Sequence, residues 1–141
     1  MPPASMVPEI YDGRIFKDGL VFFFDGLPPL LDVDAIPGDP VYLDAYVKEP
    51  STSTPNGRVT FYVNGAIVPS CVNVAVVRQR PSLAECPYQF NESGTITLGE
   101  TFVGTDGSHG SAQGAFAVAT PDEVAVIDQE CQEALSLTSQ C

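Results

Sequence analysis

The chain is poor in histidine, in cationic side chains and in long apolar runs, and each shortage removes a class of function. His109 is the one histidine, so a metal site built on paired imidazoles is excluded. Six Lys plus Arg stand against eighteen Asp plus Glu, a formal net charge of −12. Such a surface repels a phosphate backbone and an anionic bilayer alike, so neither nucleic acid nor membrane is expected as a partner. The apolar run Leu20 to Phe24 stops at Asp25, well short of the roughly 20 residues a membrane span needs. Met1-Pro2-Pro3-Ala4-Ser5 lacks the basic region of a secretory leader. The expectation is a chain that starts at its own Met1 without a leader, or else a fragment. Four cysteines are compatible with disulfides, and disulfides belong outside the reducing cytosol. Together these suggest a particle released by lysis and oxidised afterwards.

What is present points to an all-β domain. Thirteen prolines and twelve glycines punctuate short apolar alternations in which Val, Thr, Phe and Tyr dominate. The chain is organised around Pro55 to Gly65. Val59, Phe61 and Val63 share one face of a period-two strand, with Thr60 and Tyr62 on the other. Asn64-Gly65 then closes a hairpin onto Ala66 to Val68. Residues 1–12 are Pro-rich and aperiodic and read as an extended arm. Three Asp-Gly pairs follow at 12, 18 and 25, each a favoured turn. Between them Arg14 to Lys17 and Leu20 to Phe24 are short enough to form one hairpin. Leu20, Val21, Phe22, Phe23 and Phe24 are apolar on both faces, so this segment is either buried on its own domain or docked on a partner.

Further strands are expected at Leu30 to Val33, Val41 to Val47, Cys71 to Val77, Leu83 to Phe90, Thr95 to Val103 and Ser111 to Ala119. On the second of these, Val41, Leu43, Ala45 and Val47 share one face, and Tyr42, Asp44 and Tyr46 the other. Seven or so short strands at this spacing argue a β-sandwich.

Three segments resemble the bacterial Ig-like repeat family of type 3/5. Gly38-Asp39-Pro40-Val41-Tyr42-Leu43-Asp44-Ala45-Tyr46-Val47 is similar to its Gly-x-Pro-Val-x-Leu-x-Ala-x-Val strand, and Pro55-Asn56-Gly57-Arg58-Val59-Thr60-Phe61-Tyr62 to its Pro-Thr-Gly-x-Val-Thr-Phe-Tyr. Gly94-Thr95-Ile96-Thr97-Leu98-Gly99-Glu100-Thr101-Phe102-Val103-Gly104, followed by Gly110-Ser111, resembles its Gly-Thr-His-Thr-Ile-x-Ala-x-Tyr-x-Gly ending. The sequence departs at Glu100, where the family has a small apolar residue, at Phe102, where it has Tyr, and at Ser108, where it has an aromatic. The resemblance spans about residues 30–120. It implies an Ig-like sandwich of the kind used as spacers and binding modules in surface adhesins and as decorations on virion proteins. It implies no catalytic residues and no cofactor.

The division expected is an arm and hairpin over 1–29, an Ig-like sandwich over 30–120 and an extension over 121–141. In that extension Thr120-Pro121-Asp122-Glu123 reads as a capping box. Val124, Ile127, Cys131 and Leu135 follow at helical spacing, while the local Val-Ala-Val-Ile favours a strand instead. Cys71 and Cys86 flank the turn Arg78 to Pro81 and are expected to bridge within one hairpin. Cys131 and Cys141 either bridge each other or remain free. Asp106, Ser108 and His109 share a single loop, a poor start for a hydrolytic triad. Asp32, Asp34, Asp39 and Asp44 crowd one end of the sandwich without the spacing of a calcium loop, so they read as turn formers. Asn91-Glu92-Ser93 is a formal glycosylation acceptor, meaningful only in a eukaryotic secretory pathway, and in a chain expected to lack a leader it reads as a turn. The function expected is non-enzymatic: a decoration protein of a bacteriophage head, attached through Leu20 to Phe24 to capsid or other virion proteins. Self-association and weak glycan binding are secondary expectations. The alternative is an extracellular adhesin or carbohydrate-binding module.

Overall fold

The computed structural model describes residues 4–13, 33–48, 56–77 and 82–125. Among the described residues, eight strands form two antiparallel sheets. They are β1 (Ser5–Tyr11), β2 (Val41–Lys48), β3 (Gly57–Val63), β4 (Ala66–Ile67), β5 (Val74–Ala75), β6 (Ser82–Tyr88), β7 (Gly94–Gly104) and β8 (His109–Val118). The smaller sheet runs β1-β2-β6; the larger runs β4-β3-β7-β8, with β5 also paired to β3. This is an all-β, Ig-like sandwich.

Alternation dictates which face each strand buries. On β2, Val41, Leu43, Ala45 and Val47 point inward, as the pattern predicts. Opposite them lie Val59 and Phe61 of β3 and Leu98 and Phe102 of β7, all at most 1% exposed. The turn between β3 and β4 forms as expected. Asn64 and Gly65 take φ of 52° and 82°, the positive pair that a two-residue hairpin demands and that Asn-Gly adopts at least cost.

The N-terminus corrects the expectation of an arm over residues 1–12. Ser5–Tyr11 is a full strand, in register with β2 from Ser5 opposite Lys48 to Tyr11 opposite Tyr42. Met6 and Ile10 enter the core, and Ala4 N–H donates to the His109 carbonyl of β8 at 3.2 Å. Gly110 makes that approach feasible, because a Cβ there would sit 2.5 Å from the Ala4 carbonyl oxygen. The periodicity is hidden in the sequence because Pro8 occupies the inward position between Met6 and Ile10 while Val7 and Tyr11 face outward. Pro8 is tolerated because β1 is an edge strand of its sheet.

One further strand is shorter than expected. Of Cys71 to Val77 only Val74–Ala75 is strand, with Val77 making an isolated bridge to Leu83. The other strand limits lie within two residues of the expected ones. Of the segment Leu30 to Val33, Val33 is described and is not strand; Ala35 instead bridges Val118 in parallel. Residues 30–32, the hairpin over Arg14 to Lys17 and Leu20 to Phe24, and residues 126–141 with Cys131 and Cys141 lie outside the described residues.

A second, smaller cluster of Val33, Ile36 and Ala119 plugs one end of the sandwich, with Val124 packed on it. Aspartates tie it down: Asp12 accepts from Ile36 N–H at 3.0 Å and Asp34 from Ala117 N–H at 2.9 Å. Residues 121–125 are helical, started by the reciprocal capping box. Thr120 N–H donates to Glu123 Oε1 at 2.9 Å, and Glu123 N–H to Thr120 Oγ1 at 3.3 Å. Packing of Val124 on the end cluster favours helix over the competing strand.

Candidate functional site

The loop that carries Asp106, Ser108 and His109 is organised for structure. Ser108 is buried and donates both its hydroxyl, at 2.6 Å, and its backbone N–H, at 3.0 Å, to Asp106 Oδ1. Those bonds hold the Asp106 carboxyl below its ordinary value. The serine proton is thus committed to a carboxylate, while His109 opens β8 with an exposed side chain. Of the aspartates expected at one end, Asp32 lies outside the described residues, while Asp34 caps a backbone amide, Asp39 sits in the turn after Ile36, and Asp44 lies on β2. Among the described residues no group of three or more His, Cys, Asp or Glu is arranged to hold a metal ion. Ser93 donates to the Ala119 carbonyl at 2.7 Å, which ties its turn to the end cluster.

Cys71 and Cys86 are bridged, with Cα atoms 5.8 Å apart. The bridge is not within a hairpin, which corrects that part of the expectation. Cys86 lies on β6 of the smaller sheet, whereas the Cys71 carbonyl accepts from Phe61 N–H on β3 of the larger one. The disulfide therefore clamps one sheet to the other through the core. The spacing in sequence suggested the pairing, and the two runs do meet at the Val77–Leu83 bridge, but β5 pairs with β3 while β6 pairs with β2.

Two features of charge went unread in the sequence. The first is a row of carboxylates across the outer face of the smaller sheet. Register places Glu9 opposite Asp44 and Asp44 opposite Glu85, with neighbouring Cβ atoms on the order of 5 Å apart. Glu9 and Glu85 are exposed, but Asp44 is only 6% exposed and its Oδ1 has no hydrogen-bond partner. Burial first, then the charges of Glu85 and Glu9, push its pKa up to about 7. One row along, Tyr11, Tyr42 and Pro87 lie side by side.

The second is Glu100, which points into the core from β7 beside Phe61 and Ala112. It is 1% exposed and neither carboxyl oxygen has a hydrogen-bond partner. Burial first, then the charges of Asp44 and Glu9, push its pKa up to about 9. The only signal in the sequence was its departure from a small apolar residue in the family pattern.

The outer face of the larger sheet contrasts with both. Its outward positions on β3, β7 and β8 include Thr60, Tyr62, Thr101, Ser111 and Gln113, and no carboxylate.

No protein-family model matches the sequence, and no curated protein does. Among solved structures the chain is similar to a fibronectin(III)-like module of Clostridium thermocellum CbhA, at 17% identity over 65% of this chain and 91% of that one, with a TM-score of 0.39. It is also similar to the CARDB domain of the PF1109 protein of Pyrococcus furiosus, solved in complex with di-metal ions. There the identity is 13% over 84% of this chain and 93% of that one, with a TM-score of 0.44. Both likenesses are distant, and no residue role is carried across from either. The strand pairing within the chain itself establishes what it is: an Ig-like β-sandwich module whose two sheets are joined by a disulfide.

Proposed function

We propose that this chain is a non-enzymatic structural protein carried on the outside of a bacteriophage particle, a head decoration protein attached through Leu20 to Phe24. The observation that carries the reading is how that segment is tethered. Asp12 and Ile36, described residues that flank it in sequence, are joined by the bond from Ile36 N–H to the Asp12 carboxylate. An apolar segment that lies in sequence between two such joined positions of a disulfide-closed sandwich suits attachment to a protein shell by strand addition or by wedging aromatic side chains. The acidic sandwich would then face solvent. The three-segment resemblance to the type 3/5 bacterial Ig-like repeats supports the same reading, since that family includes virion decorations.

Because β1 belongs to the sandwich, the test leaves residues 1–13 in place. Phe22→Asp with Phe24→Asp in the full chain, assayed by cosedimentation with particles from the source, is expected to abolish attachment while leaving the circular dichroism unchanged. Undiminished attachment would overturn the proposal.

A second reading, an extracellular adhesin or carbohydrate-binding module, is favoured by the hydroxyl-rich outer face of the larger sheet. Tyr62 lies against Gly99 there, with Cβ and Cδ2 at 3.5 Å and 3.9 Å from where a Gly99 Cβ would stand. A ring flanked by hydroxyls suits a neutral sugar. Glycan binding lost in Tyr62→Ala, with particle attachment absent, would select this reading.

A further inference from the structure

We infer that the outer face of the smaller sheet, at Glu9, Asp44 and Glu85 with Tyr11 and Tyr42 beside them, docks a basic segment of a partner protein, one that presents lysine or arginine side chains. The inference is independent of the attachment reading above, which concerns a different part of the chain.

Like charges directly opposite one another on adjacent strands are destabilising, and here two such oppositions are set end to end. None of the three carboxylates has a cationic partner among the described residues. Lys48, on the same face of β2, lies four residues along from Asp44, roughly 13 Å at the rise of a strand. The second observation is the state of Asp44 itself. It is the central member of the row, more than nine-tenths buried, and its Oδ1 is shut from water without a donor. A buried acceptor left open by its own fold is costly, and an incoming N–H group that reached it would remove that cost.

The neighbouring row supplies the rest of a cation site. Tyr11 and Tyr42 stand opposite one another and are 60% and 44% exposed. Aromatic faces beside carboxylates hold ammonium and guanidinium groups from two directions, by cation–π attraction and by charge-assisted hydrogen bonds. Glu9 and Glu85, both exposed, make the first contact, and the rings cover the alkyl stems. Burial first, and the charges of the row second, raise the pKa of Asp44, and a bound cation would lower it. The outer face of the larger sheet, with no carboxylate, offers a basic segment nothing comparable.

The test uses the full chain with octa-arginine and octa-lysine peptides as probes and a Gly/Ser octapeptide as control, at near-neutral pH and physiological ionic strength. Expected are saturable binding by calorimetry, amide shifts centred on β1, β2 and β6, and a fall in the Asp44 carboxyl pKa by carbon-detected NMR. Glu9→Gln with Glu85→Gln, both at exposed positions that leave the core intact, should weaken binding about tenfold, worth about 1.4 kcal/mol. Tyr42→Ala should weaken it as well. Glu92→Gln with Asp122→Asn removes the same charge elsewhere and should change affinity by no more than about twofold. Equal losses in the two double variants would mean that net charge alone attracts the peptides, and would overturn the inference. Shifts at the row with Ca²⁺ but none with either peptide would overturn it too, in favour of a metal ion.

Discussion

Glu100 is a carboxyl group where a sandwich core ordinarily places a side chain without polar atoms. With both oxygens buried and unpartnered, it stays protonated across the neutral range, since its pKa is about 9. Even neutral it has lost its hydrogen bonds to water and gained none. Replacing a buried group of this kind by an apolar one of similar shape removes a desolvation cost of about 1–3 kcal/mol. Glu100→Met, unbranched and adaptable, is therefore expected to raise the urea midpoint at pH 8. A lower midpoint would show that the carboxyl is held by an interaction the core does not display. Asp44 is the same problem turned outward: its position in the pattern faces solvent, yet it is nearly as buried as the residues on the opposite face of β2.

At the scale of elements, several links hold the two sheets together among the described residues. Side chains interdigitate across the core, β1 reaches over to β8 at Ala4 and His109, and the disulfide crosses from the loop before β5 to β6. The covalent link anchors the approach to β5, a strand of only two residues. The bridge closes a stretch of 15 residues, for which chain entropy gives about 3 kcal/mol. Cys71→Ala with Cys86→Ala is accordingly expected to lose about that much, read as the shift in denaturant midpoint. Hydrogen exchange should quicken first at Val74–Ala75. Exchange that quickens uniformly would show that the bridge constrains only the unfolded chain.

For the molecule as a whole, the two raised carboxyls set an unusual pH dependence. Asp44 rises from 3.8 to about 7 and Glu100 from 4.5 to about 9. A group with its folded pKa above its unfolded one contributes stability that is complete below the unfolded value. That contribution is lost as pH rises through the folded one. Both act in the same direction, as does the relief of a net charge of −12 on acidification. The melting temperature is thus expected to climb as pH falls from about 9 to about 5, opposite to ordinary acid denaturation. Calorimetric scans of the intact protein test this. Asp44→Asn should flatten the lower part of the curve and Glu100→Met the upper part. A melting temperature that instead fell on acidification would mean that stabilised carboxylates elsewhere dominate.

Local chemistry was enough for the sequence to determine the class of fold, β2 and β3 with their inward faces, the Asn64-Gly65 turn and the Thr120 capping box. In each of these a few consecutive residues carry both the pattern and its physical cause. The pairing of Cys71 with Cys86 was legible too, though not its path, because which sheet a short strand joins depends on partners far away in the chain. Only the tertiary structure decided that residues 5–11 are a strand, since Pro8 at an inward position and the outward Val7 and Tyr11 conceal the alternation and β2 supplies the template. It alone lined up Glu9, Asp44 and Glu85, which lie tens of residues apart and meet only through register. Burial of Glu100 was likewise undecidable locally, because period-two alternation states which face a residue takes and not what covers that face.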